Sequence, residues 1–195
     1  MTILGDSNQS VNLFSSSSLA TIHGIFPDAD CLELRKSYRS TTEITDFAQQ
    51  LSRNDQLISI ERHGERPDVV GCADDWEQVE RIVEWCRRGD YRSLGIICKT
   101  AARAAKLHSA LTDSGVELTL LDYDSTAFAS GVVITSAHMS KGLEFDMVVV
   151  PDVDSDTYAN AMDRSMLYIA CTWAMHELHL THVGARSPHL HFVRS

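Results

Sequence analysis

Short apolar runs of strand length recur along the chain, separated by segments in which apolar residues return at helical spacing. The runs cover residues 2–4, 31–34, 57–60, 69–72, 94–98, 117–121, 132–135, 147–150 and 178–181. Most are apolar at successive positions rather than alternating, the pattern of strands covered on both faces. Between them, residues 41–51 carry Ile44, Phe47, Ala48 and Leu51 on one helical face, and 76–88 carry Trp76, Val79, Ile82, Val83 and Cys86. Residues 101–114 carry Ala104, Ala105, Leu107 and Leu111, and a fourth helix is expected over 160–176.

Each helix has a starting signal. Ser40 with Glu43 three residues on reads as a capping box, Asp74 or Asp75 caps the second helix, Thr100 the third, and Asn160 or Asp163 the fourth. Strands alternating with amphipathic helices predict an α/β domain of three layers, with a mainly parallel sheet between two layers of helices. A single domain over residues 1–195 accommodates the whole pattern.

Composition narrows the class. With 44% hydrophobic and 23% charged residues, the chain is ordinary for a globular protein. A net charge of -10 excludes a surface that coats nucleic acid generally, because lysine and arginine are what neutralise phosphate. Nucleic-acid contact must therefore be local or shared with another domain. Cys31, Cys72, Cys86, Cys98 and Cys171 are odd in number, scattered and free of any CxxC pair, which reads as reduced core thiols in a cytoplasmic protein. No membrane span is expected. Near the end, His176, His179, His182, His189 and His191 suggest a metal, but "HELHLTH" alternates as a strand with its polar positions outward, and no metal site is expected there. The opening "MTILGD" already reads as a strand running into a turn, so the chain is expected to be a fragment of something longer.

Candidate chemistry lies in four polar clusters expected at the carboxyl ends of strands, where parallel sheets bind ligands. They are "GDSNQS" (5–10), "RKSYRS" (35–40), "SAHMSKGLE" (136–144) and "ACTWAMHEL" (170–178). The third is the most distinctive, since it interrupts the most apolar region of the chain with His138, Ser140, Lys141, Gly142 and Glu144.

In this order the clusters resemble the last four motifs of UvrD/Rep/PcrA-type superfamily 1 DNA helicases. "TILGDSNQSV" resembles the motif linking the ATP and DNA sites, "SYRSTTEI" the Tyr-Arg-Ser motif, "TSAHMSKGLEFDMVVV" the Lys-Gly-Leu-Glu motif and "RSMLYIACTWAMHEL" the Leu-Tyr-Val-Ala-x-Thr-Arg-Ala motif. "LGIICKTAARAAKLHSAL" is similar to the strand and basic helix between them. The resemblance implies a second RecA-like (P-loop NTPase-like) domain. The chain has no GxxxxGK[ST] phosphate loop, so a first RecA-like domain carrying that loop and the Mg2+ would lie elsewhere. The short spacing between the second and third motifs, with "ERHGERPDVV" inside it, is closer to the HelD or helicase IV-like branch.

The resemblance also implies roles. Gln9 would sense the γ-phosphate of ATP, Tyr38 would stack on adenine and Arg39 would reach the γ-phosphate, a planar ring and a guanidinium fork suiting those two groups. Gly142 would let the backbone approach the nucleotide, and Glu144 would accept from ribose hydroxyls. Phe14 would stack on a base of single-stranded DNA, with Ser136 and His138 facing the same strand. Trp173 stands where the family has an arginine that stabilises charge on the transferring phosphoryl group, and an indole cannot supply that charge. Two readings stay open. One is the C-terminal motor domain of an ATP-dependent DNA helicase, inactive by itself. The other is a degenerate nucleotide-sensing or partner-docking domain of a HelD-like protein that associates with RNA polymerase.

Overall fold

The computed structural model describes residues 23–27, 36–37, 39–53, 58–59, 61–122, 131–140 and 143–193. The strands expected over 2–4 and 31–34 lie outside these residues, as do Cys31, Gln9, Phe14, Tyr38, Lys141 and Gly142.

In chain order the elements are β1 (Lys36–Ser37), α1 (Thr42–Leu51), β2 (Ile58–Ser59), β3 (Asp68–Cys72), α2 (Asp75–Arg88), β4 (Ser93–Cys98) and α3 (Ala101–Asp113). They continue with β5 (Thr119–Leu120), β6 (Gly131–Ser136), β7 (Phe145–Val150), α4 (Ala161–Thr172) and β8 (Ala174–Val183). Strands β1 and β2 form a small parallel pair. The main sheet has the order β3-β8-β7-β4-β6-β5, and every pairing within it is parallel.

The apolar runs have the residue types that a doubly covered sheet needs. Leu94, Ile96, Cys98, Ile134, Met147 and Val149 face α2 and α3, where Ile82, Trp85, Leu107 and Leu111 meet them. Ile97, Val133, Phe145, Val148, Val150, Leu178 and Leu180 face α1 and α4, with Ile44, Phe47, Leu51, Leu167 and Cys171. The predicted three layers are therefore present. Strand alternation is broken once, because Phe145 and Val148 share a face although three positions apart. A register shift between Phe145 and Met147 supplies the bulge that this requires. Gly95 of β4 makes room there: an added Cβ would come within 2.4 Å of the Phe145 ring. Burial raises the thiol pKa values of Cys72, Cys86, Cys98 and Cys171, that of Cys86 to about 12. Among the described residues no helix is long and apolar enough to cross a membrane.

Three local expectations need correction. The fourth helix does not continue to residue 176 but stops at Thr172, because the carbonyl of Trp173 accepts from Phe145 N (3.0 Å) and Ala174 already pairs with Phe145 in the sheet. The cap of α1 is Thr41, whose side chain accepts from Ile44 N. Ser40 instead donates to the carbonyl of Ala174 (2.6 Å), and Glu43 accepts from His63 and Gly64 N, so no capping box forms. Finally, His179 is not a solvated outward position. Strand β8 lies between β3 and β7 under α2, and the His179 ring stacks on Trp85 with centroids 4.4 Å apart. The other caps are as expected: Asp74 accepts from Glu77 N, Thr100 from Arg103 N, and Asn160 and Asp163 close a capping box.

Candidate functional site

Strand register decides where each cluster sits. Ser136 is level with Cys98 at the carboxyl end of β4, whereas Met147 is level with Leu94. Glu144 therefore lies near the opposite end of the sheet, about 20 Å away at ~3.3 Å per residue. Strands β6 and β7 are both parallel to β4 and lie on either side of it, so the carboxyl end of β6 and the amino end of β7 are at opposite ends of the sheet. One turn is closed by Ser140 N to the Ser136 carbonyl (3.0 Å), and Ala137 and Leu143 lie against the core beneath α1 and α4. The described ends of the polar break thus lie at opposite edges of the sheet, Ser136 and His138 at one and Glu144 at the other. The expectation that the clusters share the carboxyl edge needs correction: among the described residues Ser136 and His138 lie at that edge, whereas Arg39, Glu144 and Trp173 lie at the amino edge.

At the amino edge, three predicted residues meet. Arg39 Nε donates to Glu144 Oε1 at 2.7 Å across 105 residues of sequence. The guanidinium carbon lies 5.9 Å from the centroid of the Trp173 ring. Arg39 is 36% exposed and Glu144 46%. Both therefore face solvent, and an exposed pair of this kind contributes about 0–1 kcal/mol. Glu43, four residues on from Arg39, is held by His63 (2.9 Å) and by Gly64 N (2.9 Å). Those bonds pull the Glu43 carboxyl down to about 2 and raise the pKa of His63.

Glu144 is aimed by its neighbour. The Phe145 ring lies over Gly95, Phe145 N is bonded to the Trp173 carbonyl, and the bulge that follows turns the chain. Trp173 itself is 1% exposed and belongs to the core, with no partner for Nε1 among the described residues. It forms a floor under Arg39 and presents no surface of its own. Sequence reading missed Arg62, which donates from Nη2 to the carbonyls of Arg39 (2.6 Å) and Met175 (2.7 Å). Its only signal was its place in "ERHGERPDVV". Beside this edge is an open depression of about 620 Å³ lined by residues including Arg92, Asp146, His176 and Glu177.

The carboxyl edge is built differently. Ser136 and His138 line a depression of about 330 Å³ with Lys99, Thr100, Ala101 and Met166. His138 is exposed and Ser136 is buried. Lys99 is committed to Asp163 (2.6 Å) and also donates to the Thr157 carbonyl. Burial pushes the Asp163 carboxyl up, but Lys99 and the backbone N–H groups of Asn160 and Ala159 outweigh it and leave the pKa lowered. Nearby, Asp152 takes two bonds from Arg103 (2.6 and 2.7 Å) and one from Gln78 (2.7 Å), whose own oxygen accepts from Thr181 (2.8 Å). Asp152 holds a left-handed conformation at φ 58°, unusual for a residue with a side chain. Among the described residues no group of three or more His, Cys, Asp or Glu is arranged to hold a metal.

Comparison with known proteins identifies the family. A family model described as the UvrD-like helicase C-terminal domain matches residues 131–181, from β6 to β8 and so through His138, Glu144 and Trp173. A crystal structure of the C-terminal domain of a possible DNA helicase from Lactobacillus plantarum WCFS1 is 34% identical. It superposes with a TM-score of 0.70, over 81% of this chain and 94% of that one. The chain belongs to the UvrD-like helicase C-terminal domain family. Its sheet is accordingly the RecA-like sheet of a helicase-type domain. A complex of arterivirus nonstructural protein 10 (helicase) with DNA is 12% identical, with a TM-score of 0.43 over 66% of this chain and 32% of that one. That likeness is too low to carry an argument. Among curated proteins, none matches this UvrD-like chain significantly.

Proposed function

We propose that the chain is the second motor domain of an ATP-dependent DNA helicase or translocase. In this reading the amino edge closes on ATP and the carboxyl edge grips single-stranded DNA, with a first RecA-like domain supplying the phosphate loop and Mg2+. Arg39 would reach the γ-phosphate, Glu144 the ribose and Tyr38 the adenine, while Gln9 and Gly142 would complete the nucleotide side. His138 would meet the strand, with Ser136 lining the depression behind it and Phe14 stacking on a base. The observation that supports this most is the contact of Arg39 with Glu144, two residues far apart in sequence that meet on one solvent-facing edge.

The roles are complementary in charge. A guanidinium is a bidentate partner for phosphate and a carboxylate an acceptor for hydroxyls, so bound ATP would offer each a better partner than the other. ATP binding by the chain tests the reading through tryptophan fluorescence, since Trp173 lies directly beneath Arg39. We expect a saturable change with ATP, weakened about tenfold or more in Arg39→Ala. No response, or an equal response in the variant, overturns the reading. So does ATP turnover by the chain alone, because nothing in its sequence cradles the β- and γ-phosphates. The second reading, a degenerate sensing or docking domain, is favoured by Trp173, a buried indole where the family has a cation. In that case Trp173 leaves a clamp that binds nucleotide but does not stabilise phosphoryl transfer.

A further inference from the structure

We propose that Arg62 is a positioning residue for Arg39, an inference that rests on the reading of Arg39 as a nucleotide ligand. A single nitrogen, Nη2, donates to the carbonyl of Arg39 at 2.6 Å and to that of Met175 at 2.7 Å. The first carbonyl belongs to the residue to be placed. The second lies two residues beyond Trp173, the floor over which Arg39 lies. Arg62 is itself held, because its carbonyl accepts from Thr42 N (2.8 Å) at the first turn of α1. Behind it Gly64 approaches Thr41 so closely that a Cβ would come within 2.7 Å of the threonine methyl, so the segment is seated against the helix start.

Two other bonds join the same segments without touching the Arg39 carbonyl. They are Ser40 Oγ to the Ala174 carbonyl (2.6 Å) and Thr41 N to the Met175 carbonyl (3.2 Å). The junction thus has connections of its own, and Arg62 adds the one described bond to the backbone of Arg39. Arg62 Nε is buried with no partner among the described residues, which costs free energy, so the two Nη2 bonds are what hold the Arg62 guanidinium in place. The first of them fixes the Arg39 backbone. The guanidinium of Arg39 can then exchange Glu144 for a phosphate by rotating side-chain torsions while its Cα stays in place. A lysine ammonium would supply the charge without the planar, fixed donor geometry.

The test follows the Arg39 Nε–H resonance in the 15N-labelled chain, assigned by its loss in Arg39→Lys. In the wild type it should be displaced and protected by Glu144. In Arg62→Lys and Arg62→Gln it should move to the position of the exposed Arg66, with ATP affinity falling roughly tenfold. Ser40→Ala should leave both unchanged. An unmoved Arg39 signal in both Arg62 variants overturns the proposal, and so does an equal loss in Ser40→Ala, which would mean that any loosening of the junction suffices. If the Arg62 variants do not fold, the wild type decides: Arg62 Nη protons that exchange as fast as those of Arg66 overturn it, and protected ones support it. A moved Arg39 signal in a chain that does not respond to ATP keeps the positioning role and rejects the nucleotide reading.

Discussion

The ion pairs at the two edges of the sheet have opposite characters. At the carboxyl edge, Lys99 and Asp163 are 25% and 6% exposed, and Arg103 and Asp152 are 21% and 14% exposed. Each is fastened by further hydrogen bonds to caps, carbonyls and Gln78. At the amino edge Arg39 and Glu144 face water with one bond between them, above a buried indole. Charges that hold a fold together must be enclosed and fully bonded, whereas charges that exchange partners must be exposed and weakly held. Lys99 and Arg103 are accordingly committed to their partners, and the grip proposed for the carboxyl edge falls to the exposed His138 rather than to Lys99.

Breaking this contrast starts with the largest effect. Trp173→Arg should destabilise the chain by about 3–5 kcal/mol in urea unfolding, because it places a charge that cannot be neutralised where an indole fills the core. Unchanged stability would show that the position opens to the cleft as an arginine requires. Asp152→Ala should cost about 3 kcal/mol, since it leaves Arg103 and Gln78 without their acceptor. Next, Gly95→Ala should cost about 1–3 kcal/mol by driving a methyl into the Phe145 ring, and should disturb Glu144 with it. Glu144→Gln should change stability by less than about 1 kcal/mol while weakening ATP binding about tenfold, and that difference is the sharpest statement of the contrast. If Glu144→Gln proves as costly to stability as Asp152→Ala, the two edges are not distinct.

The smallest effect concerns Glu43 and His63. The pKa of His63 is raised from its ordinary 6.5, so its contribution is complete below that value and lost as pH rises through the raised one. That of Glu43 is lowered from 4.5 to about 2, so its contribution is present above 4.5 and lost as pH falls towards 2. Urea midpoints should therefore decline slightly as the pH rises above about 6.5, and His63→Gln should remove that slope.

Much of the architecture was legible without coordinates. Continuously apolar runs such as residues 94–98 and 147–150, separated by amphipathic stretches, admit few arrangements other than a covered parallel sheet. Caps at Asp74, Thr100 and Asn160 were equally readable, because a cap is a bond between residues two or three apart. The errors lie where a distant partner takes over a local group. Ser40 gives its hydroxyl to Ala174 instead of capping, the helix before Trp173 yields its last turn to the sheet, and His179 is stacked on Trp85 rather than left in water.

By itself the sequence determined the element types, the layered class and the order of its chemical motifs, because periodicity and motif spacing are local properties of the chain. Tertiary structure decided that Ser136 and His138 lie at one edge and Glu144 at the other, since that depends on strand order and register. It also decided that Arg39 meets Glu144, that Trp173 is buried and that Arg62 belongs with them. Those contacts join segments up to 113 residues apart, and no local pattern in a chain encodes a meeting at that distance.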